Sequence, residues 1–135
     1  MRKIVAILLV LAGFMFFLMK RGEQVALDSI PTNSLVVFSK TGCYHCHDAL
    51  EFINRTVKKE YPQLQVALLD VDQDNNLARL LSVAKHYRIP NNKLGTPVLL
   101  YNGQILIGWE AKYENKLLTM IKEGRQKNNL PGDSK

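Results

Sequence analysis

Cys43 and Cys46 are the only cysteines in the 135-residue chain, and they stand three apart shortly after a run of β-formers, Leu35-Val36-Val37-Phe38. A short continuous apolar run of this kind reads as a strand buried on both faces. Lys40-Thr41-Gly42 turns the chain, and Ala49, Leu50, Ile53 and Val57 then recur at helical spacing as far as Tyr61-Pro62, where proline ends the helix. The pair therefore opens a helix that follows a buried strand. Two cysteines at this spacing lie one turn apart on the same helix face, close enough for a disulfide to close. A stapled secreted scaffold needs more than two cysteines, so a Cys43–Cys46 disulfide is expected to be redox-active rather than structural.

Position gives the two sulfurs different characters. Unsatisfied backbone N–H groups and the positive end of the helix dipole stabilise a thiolate at the first cysteine, so the pKa of Cys43 is expected well below the free value of about 8.5. Cys43 is then the exchanging nucleophile, and Cys46, one turn deeper, the resolving thiol. The two residues between them, Tyr44 and His45, are candidates for tuning the pair. A histidine beside the Cys43 thiolate stabilises it further, which favours the dithiol and makes the protein more oxidising. Tyr44, at an exposed helix start, is also a candidate for the substrate surface. Disulfide exchange of this kind requires no organic cofactor and no metal.

Downstream, residues 65–72 read as a second buried strand, parallel to the first through the intervening helix. Leu77, Leu80, Leu81, Ala84 and Tyr87 follow on one face of a second helix, capped by Asp74 or Asn75. Val98-Leu99-Leu100-Tyr101 and residues 104–109 flank Asn102-Gly103, the strongest short hairpin signal available. A last amphipathic helix over residues 113–124 turns Leu117, Leu118 and Ile121 inward. The expected order is β-α-β-α-β-β-α.

The motif Cys43-Tyr44-His45-Cys46 behind a buried strand, with Thr96-Pro97 opening a later strand and an Asn-Gly hairpin after it, resembles the thioredoxin superfamily and, within it, the bacterial periplasmic Dsb-type proteins. The stretch from Leu69 through Tyr101 is especially similar, in Asp70-Val71-Asp72 ending a strand and Tyr87-Arg88-Ile89 ending a helix. The resemblance implies an α/β, thioredoxin-like fold with a four-stranded mixed sheet. It also implies that Pro97 is the cis residue facing the cysteines and that the Thr96 backbone pairs with an extended substrate. The intervening Tyr-His matches neither the Gly-Pro of thioredoxin nor the Pro-His of the strong periplasmic oxidase, although it shares the latter's histidine. The strand Leu35-Val36-Val37-Phe38 holds no acidic residue to match thioredoxin's buried carboxylate.

The amino-terminal segment is a separate object. Residues 4–19 form an uninterrupted apolar run between Arg2-Lys3 and Lys20-Arg21. No small-x-small cleavage site follows it, so a retained signal anchor is expected. The expected organisation is an anchor over residues 1–21, a linker over 22–33, the thioredoxin-like domain over 34–125 and a flexible tail over 126–135. With the amino terminus inside, the protein is expected to cross the inner membrane once, through residues 4–19, and to face the periplasm or the cell exterior. That topology implies exported or membrane-associated polypeptides with thiols or disulfides as substrates, and a membrane redox partner. The net charge of +6 sits partly on Lys58, Lys59, Lys116, Lys122 and Arg125, which read as solvated helix faces. Without basic runs interleaved with aromatics, no nucleic-acid partner is expected.

Two rival chemistries share the motif. Cys43-Tyr44-His45-Cys46-His47 also matches the C-x-x-C-H signature of covalent c-type haem attachment, although small cytochromes are mostly helical whereas this chain is β-rich in its second half. Two thiolates with His45 and His47 could alternatively serve a thioredoxin-fold copper chaperone.

Overall fold

The computed structural model describes the backbone of residues 1–28, 30, 33–73 and 75–128, and the side chains of all of these except 16–28. Met1–Ile30 and Pro31–Lys135 are two separate units. The second unit is organised by β1 (Leu35–Ser39), whose every residue is buried. Its composition explains this: β-branched and aromatic side chains pack well on a pleated surface, and each fully buried one stabilises the fold by roughly 1.5–3 kcal/mol. β1 pairs in parallel with β2 (Val66–Asp70) and antiparallel with β3 (Val98–Tyr101), which pairs in turn with β4 (Gln104–Ile107). The sheet order is β2-β1-β3-β4, which with its flanking helices is the expected thioredoxin-like fold.

Between β1 and β2 lie α2 (Tyr44–Phe52), a π-helical turn (Ile53–Val57) and α3 (Lys58–Glu60), together forming the expected crossover helix. α4 (Asn76–His86) follows β2, and α5 (Tyr113–Lys127) closes the unit. Val37 stands opposite both Leu68 and Leu99, and Leu99 opposite Leu106. Leu35, Val37, Leu99, Tyr101 and Leu106 thus line one face of the sheet, packed with Ala49, Phe52, Ile53 and Val57 from the crossover and Leu117, Met120 and Ile121 from α5. Val36, Phe38, Val98 and Leu100 alternate to the other face. The β3–β4 hairpin turns on Asn102 (φ 46°) and Gly103 (φ 77°), the two left-handed residues that a type I′ turn requires. Asn102 also donates from Nδ2 to the Gly124 carbonyl at 3.0 Å, tying the hairpin to α5.

Several expectations need correction. β2 is not buried on both faces: it is the edge strand, and Leu68 is 52% exposed. α4 buries Asn76, Leu80, Val83 and Ala84, while Leu77 and Leu81 are 51% and 43% exposed. Its inward stripe is rotated because the Asn76 amide donates to the Asp70 carbonyl at 2.9 Å, a polar anchor that hydrophobic periodicity cannot register. Asn75 takes the cap position of α4 without a side-chain hydrogen bond, and Asp74 lies outside the described residues. Arg125 is not a solvated charge; it is buried, with its guanidinium 5.5 Å from the Tyr61 ring centre. The helix α5 runs on to Lys127, and residues 129–135 of the expected tail lie outside the described residues.

The membrane anchor is overturned. Among the described residues no helix is long and apolar enough to cross a membrane. α1 runs from Arg2 to Asp28, so helix occupies most of the expected linker 22–33, whose residues 29, 31 and 32 lie outside the described ones. The apolar run of about 16 residues falls short of the ~20 that a span needs, and the helix continues through Lys20, Arg21, Glu23 and Asp28. A single-pass inner-membrane protein with a signal anchor and a periplasmic domain is therefore not supported.

Gly124 of α5 faces the Tyr101 ring of β3. A Cβ there would lie 2.6 Å from Tyr101 Cε1 and 2.8 Å from Cδ1, and that ring is 1% exposed and cannot move aside. Gly124→Ala should therefore destabilise the protein by about 1–3 kcal/mol, although alanine in an open helix site would stabilise by roughly 1 kcal/mol. A urea unfolding midpoint below that of the wild type is the expected result.

Candidate functional site

β1 delivers the chain to the site through a turn that two carboxylates hold. The Thr41 hydroxyl donates to Asp70 Oδ2 at 3.2 Å and the Thr41 N–H to Asp72 Oδ2 at 3.3 Å. Asp70 also accepts from the Asp72 N–H at 2.9 Å, so one carboxylate organises the ends of both β1 and β2. Gly42 adopts φ +74°, the left-handed conformation that lets the chain reverse into the helix. The Cys43 N–H then closes the turn on the Lys40 carbonyl at 3.2 Å.

Cys43 is the N-cap of α2, with extended backbone (φ −82°, ψ 108°), and its sulfur accepts from the Cys46 N–H at 3.2 Å. It is joined to Cys46 in a disulfide with a Cα–Cα distance of 5.2 Å. The two sulfurs differ in access: Cys43 is half-buried, whereas Cys46 is 3% exposed. Opposite them, the Thr96–Pro97 peptide is cis and Pro97 is fully buried. The Thr96 hydroxyl donates toward Cys43 Sγ at 3.5 Å, and the Thr96 carbonyl lies 3.7 Å from the same sulfur. The Pro97 carbonyl accepts from the Gly108 N–H at 2.8 Å, which locks this loop to the end of β4.

Cys43, Cys46, Thr96 and Pro97 thus form one cluster. Tyr44 and His45 adjoin it on the helix surface. Tyr44 is 74% exposed, its ring meets His45 edge-on at 5.9 Å, and neither makes a hydrogen bond to Cys43. His47 points to solvent, 3.9 Å from Asp48. Among the described residues no group of three or more His, Cys, Asp or Glu is placed to hold a metal ion. Trp109 packs on Phe52, ring centres 5.6 Å apart, and is buried. Sequence alone singled out neither of the pinning carboxylates, Asp70 and Asp72, as part of the site; their signal is the Asp-x-Asp that ends a strand ahead of a helix start.

No protein-family model and no curated protein matches the chain. Among solved structures, the chain is similar to a glutaredoxin from Archaeoglobus fulgidus, at 20% identity and a TM-score of 0.47, covering 67% of this chain and 87% of that one. It is also similar to a thioredoxin from Nicotiana alata, at 21% identity and a TM-score of 0.44, covering 78% and 85%. A third is a thioredoxin from Fasciola hepatica, at 22% identity and a TM-score of 0.40, covering 69% and 83%. Such likeness concerns the fold alone.

The Thr96 hydroxyl, 3.5 Å from Cys43 Sγ, is placed to donate to the thiolate that reduction would create, and a hydrogen bond to a charged group contributes about 1.5–3 kcal/mol. Thr96→Val removes it while keeping the shape, and so disfavours the dithiol. The reduction potential, measured in a glutathione buffer, should become about 30 mV or more negative, since 30 mV corresponds to about 1.4 kcal/mol for this two-electron couple. An unchanged potential would show that the hydroxyl does not act on the sulfur.

Proposed function

We propose that the chain is a thiol–disulfide oxidoreductase that exchanges disulfides with polypeptide substrates through Cys43 and Cys46. The observation that carries this reading is the asymmetry of the pair: one sulfur is reachable and sits at a helix N-cap, and the other is buried beneath it. In the oxidising direction a substrate thiolate attacks Cys43 Sγ, and Cys46 leaves with the electron pair of the broken S–S bond and takes up a proton. The substrate's second thiolate then attacks its own mixed-disulfide sulfur and displaces the Cys43 thiolate. Two substrate thiols become one disulfide, and the protein disulfide becomes a dithiol. In reverse, Cys43 attacks a substrate disulfide and Cys46 resolves the intermediate. Thr96, whose backbone lies beside the reacting sulfur, is assigned to pair with the extended substrate, next to Pro97. Exposed Tyr44 is assigned to the same surface.

The oxidising direction is favoured. The Cys46 N–H, the Thr96 hydroxyl and the helix N-terminus all stabilise negative charge on Cys43, which favours the reduced state and a labile disulfide. His45, one residue from Tyr44 on the exposed first turn, adds positive charge there when protonated. A potential nearer about −120 mV than −270 mV is expected for the wild-type pair. A value at or below about −270 mV would reverse the direction.

Cys43→Ser should abolish thiol oxidation and disulfide reduction alike. Cys46→Ser should instead accumulate a mixed disulfide between Cys43 and substrate, visible as an adduct in intact-mass spectra that dithiothreitol removes. Turnover that survives Cys43→Ser would refute the assignment.

A further inference from the structure

The turn that carries β1 into α2, Lys40-Thr41-Gly42, is exposed along its whole length. A Cβ built on Gly42 would meet nothing within 4 Å beyond its chain neighbours, so no side chain packs against the residue that precedes Cys43. Glycine also has the widest backbone freedom of any residue. Hydrogen bonds rather than packing therefore hold this turn. Within it the Cys43 N–H donates to the Lys40 carbonyl at 3.2 Å. Among the described residues, its ties to side chains elsewhere both come from Thr41: the hydroxyl to Asp70 Oδ2 at 3.2 Å and the N–H to Asp72 Oδ2 at 3.3 Å.

Asp70 is a junction and not merely a surface acid. It is half-buried, and its carboxylate also accepts from the Asp72 N–H at 2.9 Å and from Gln73 Nε2 at 3.4 Å. Its carbonyl accepts from the Asn76 amide at 2.9 Å and from the Gln73 N–H at 3.1 Å. The end of β2, the start of α4 and the turn before Cys43 thus meet on one residue. Thr41 lies two positions before the sulfur. Cys43 Sγ accepts from the Cys46 N–H at 3.2 Å because the Cys43 backbone is extended (φ −82°, ψ 108°) at the N-cap. A turn free to pivot on Gly42 would spread Cys43 over geometries in which its sulfur loses that donor.

We propose that Asp70, acting through the Thr41 hydroxyl, is a positioning residue for disulfide exchange: it holds Cys43 at the N-cap, where the thiolate is stabilised, and so sets how oxidising the pair is. The proposal rests on Cys43 being the sulfur that exchanges with substrate. The equilibrium concerned converts the protein disulfide and two glutathione thiols into the protein dithiol and glutathione disulfide. Two electrons pass to the protein's S–S bond; of the two protons released by glutathione, one goes to Cys46 and the other to solvent while Cys43 stays a thiolate. Only the reduced side carries that thiolate, so whatever keeps Cys43 in the N-cap geometry shifts the equilibrium toward the dithiol. A direct action of the Asp70 charge on the sulfur would have the opposite sign, since a carboxylate disfavours a neighbouring thiolate.

The test reads the reduction potential of the full chain in a glutathione buffer, with folding checked by circular dichroism. Thr41→Val removes the hydroxyl but keeps the side chain's shape and the N–H bond to Asp72. It is expected to lower the equilibrium constant for reduction about three- to tenfold, which makes the potential about 15–30 mV more negative. The pH at which alkylation of reduced Cys43 reaches half its maximal rate should rise with it. Thr41→Ser restores the hydroxyl and is expected to restore both values. Asp70→Ala should shift the potential in the same direction, and the double variant no further than the larger single shift, because both remove one contact. An unchanged potential in Thr41→Val, a serine variant that fails to restore it, or a less negative potential in Asp70→Ala overturns the proposal. Should Asp70→Ala not fold, the two Thr41 variants decide alone. The substrate adduct of Cys46→Ser tests the redox reading separately. An adduct on Cys43 with unchanged Thr41→Val potential refutes the positioning and leaves the oxidoreductase; no adduct on Cys43 refutes the reading on which the proposal stands.

Discussion

The site depends on the complete enclosure of β1. A strand with neighbours on both edges and side chains buried on both faces has no freedom to shift register, because a slip of one residue would exchange its two faces. The last residue of that strand is therefore a fixed point. The three-residue turn after it inherits the fixity through Asp70 and Asp72, which belong to the adjacent parallel strand and the loop that follows it. Cys43 is set in place by a strand whose side chains are all buried, and by two carboxylates that make no hydrogen bond to a sulfur.

From that fixed point the environment divides the labour between two chemically identical thiols. Cys43 receives a backbone N–H, a hydroxyl and the end of a helix, while Cys46, one turn on, is buried. Reactivity follows charge stabilisation and access together, and here both point to the same atom. The cis Thr96–Pro97 loop reaches the site from 53 positions along the chain, and the Pro97 carbonyl accepts a backbone hydrogen bond from Gly108.

The sequence was legible wherever a single local preference decided the outcome. Four consecutive β-formers announced β1, Asn102-Gly103 announced the hairpin, and Cys-x-x-Cys after a strand announced the N-cap sulfur. Reading failed where two interactions competed. Leu77 and Leu81 look like core on hydrophobicity alone, but with the Asn76 amide anchored on Asp70, Val83 goes inward beside the expected Leu80 and Ala84. Arg125 carries a full charge and is nevertheless buried against Tyr61, a pairing that depends on two residues 64 positions apart coming together in space. The edge position of β2 is likewise invisible locally, because a strand's neighbours are a property of the whole sheet. The amino-terminal run is the opposite failure, a correct reading of hydrophobicity carried past the length that would justify a span.

The π turn at Ile53–Val57 gives the crossover helix a property that its composition does not reveal. Each residue of an α-helix rotates the next side chain by about 100°. A wider turn absorbs one extra residue, so the segment before it and the segment after it are out of phase with one another. Val57 is seated in the core on one side of this offset, and Cys46 and Ala49 on the other. A one-residue deletion that restored regular α-helix would leave Val57 seated and swing the first turn, sulfurs included, by roughly a quarter of a revolution. The bearing of the cysteines is thus written in a residue count in mid-helix, and any sequence that replaced this stretch would have to match its length before its chemistry mattered.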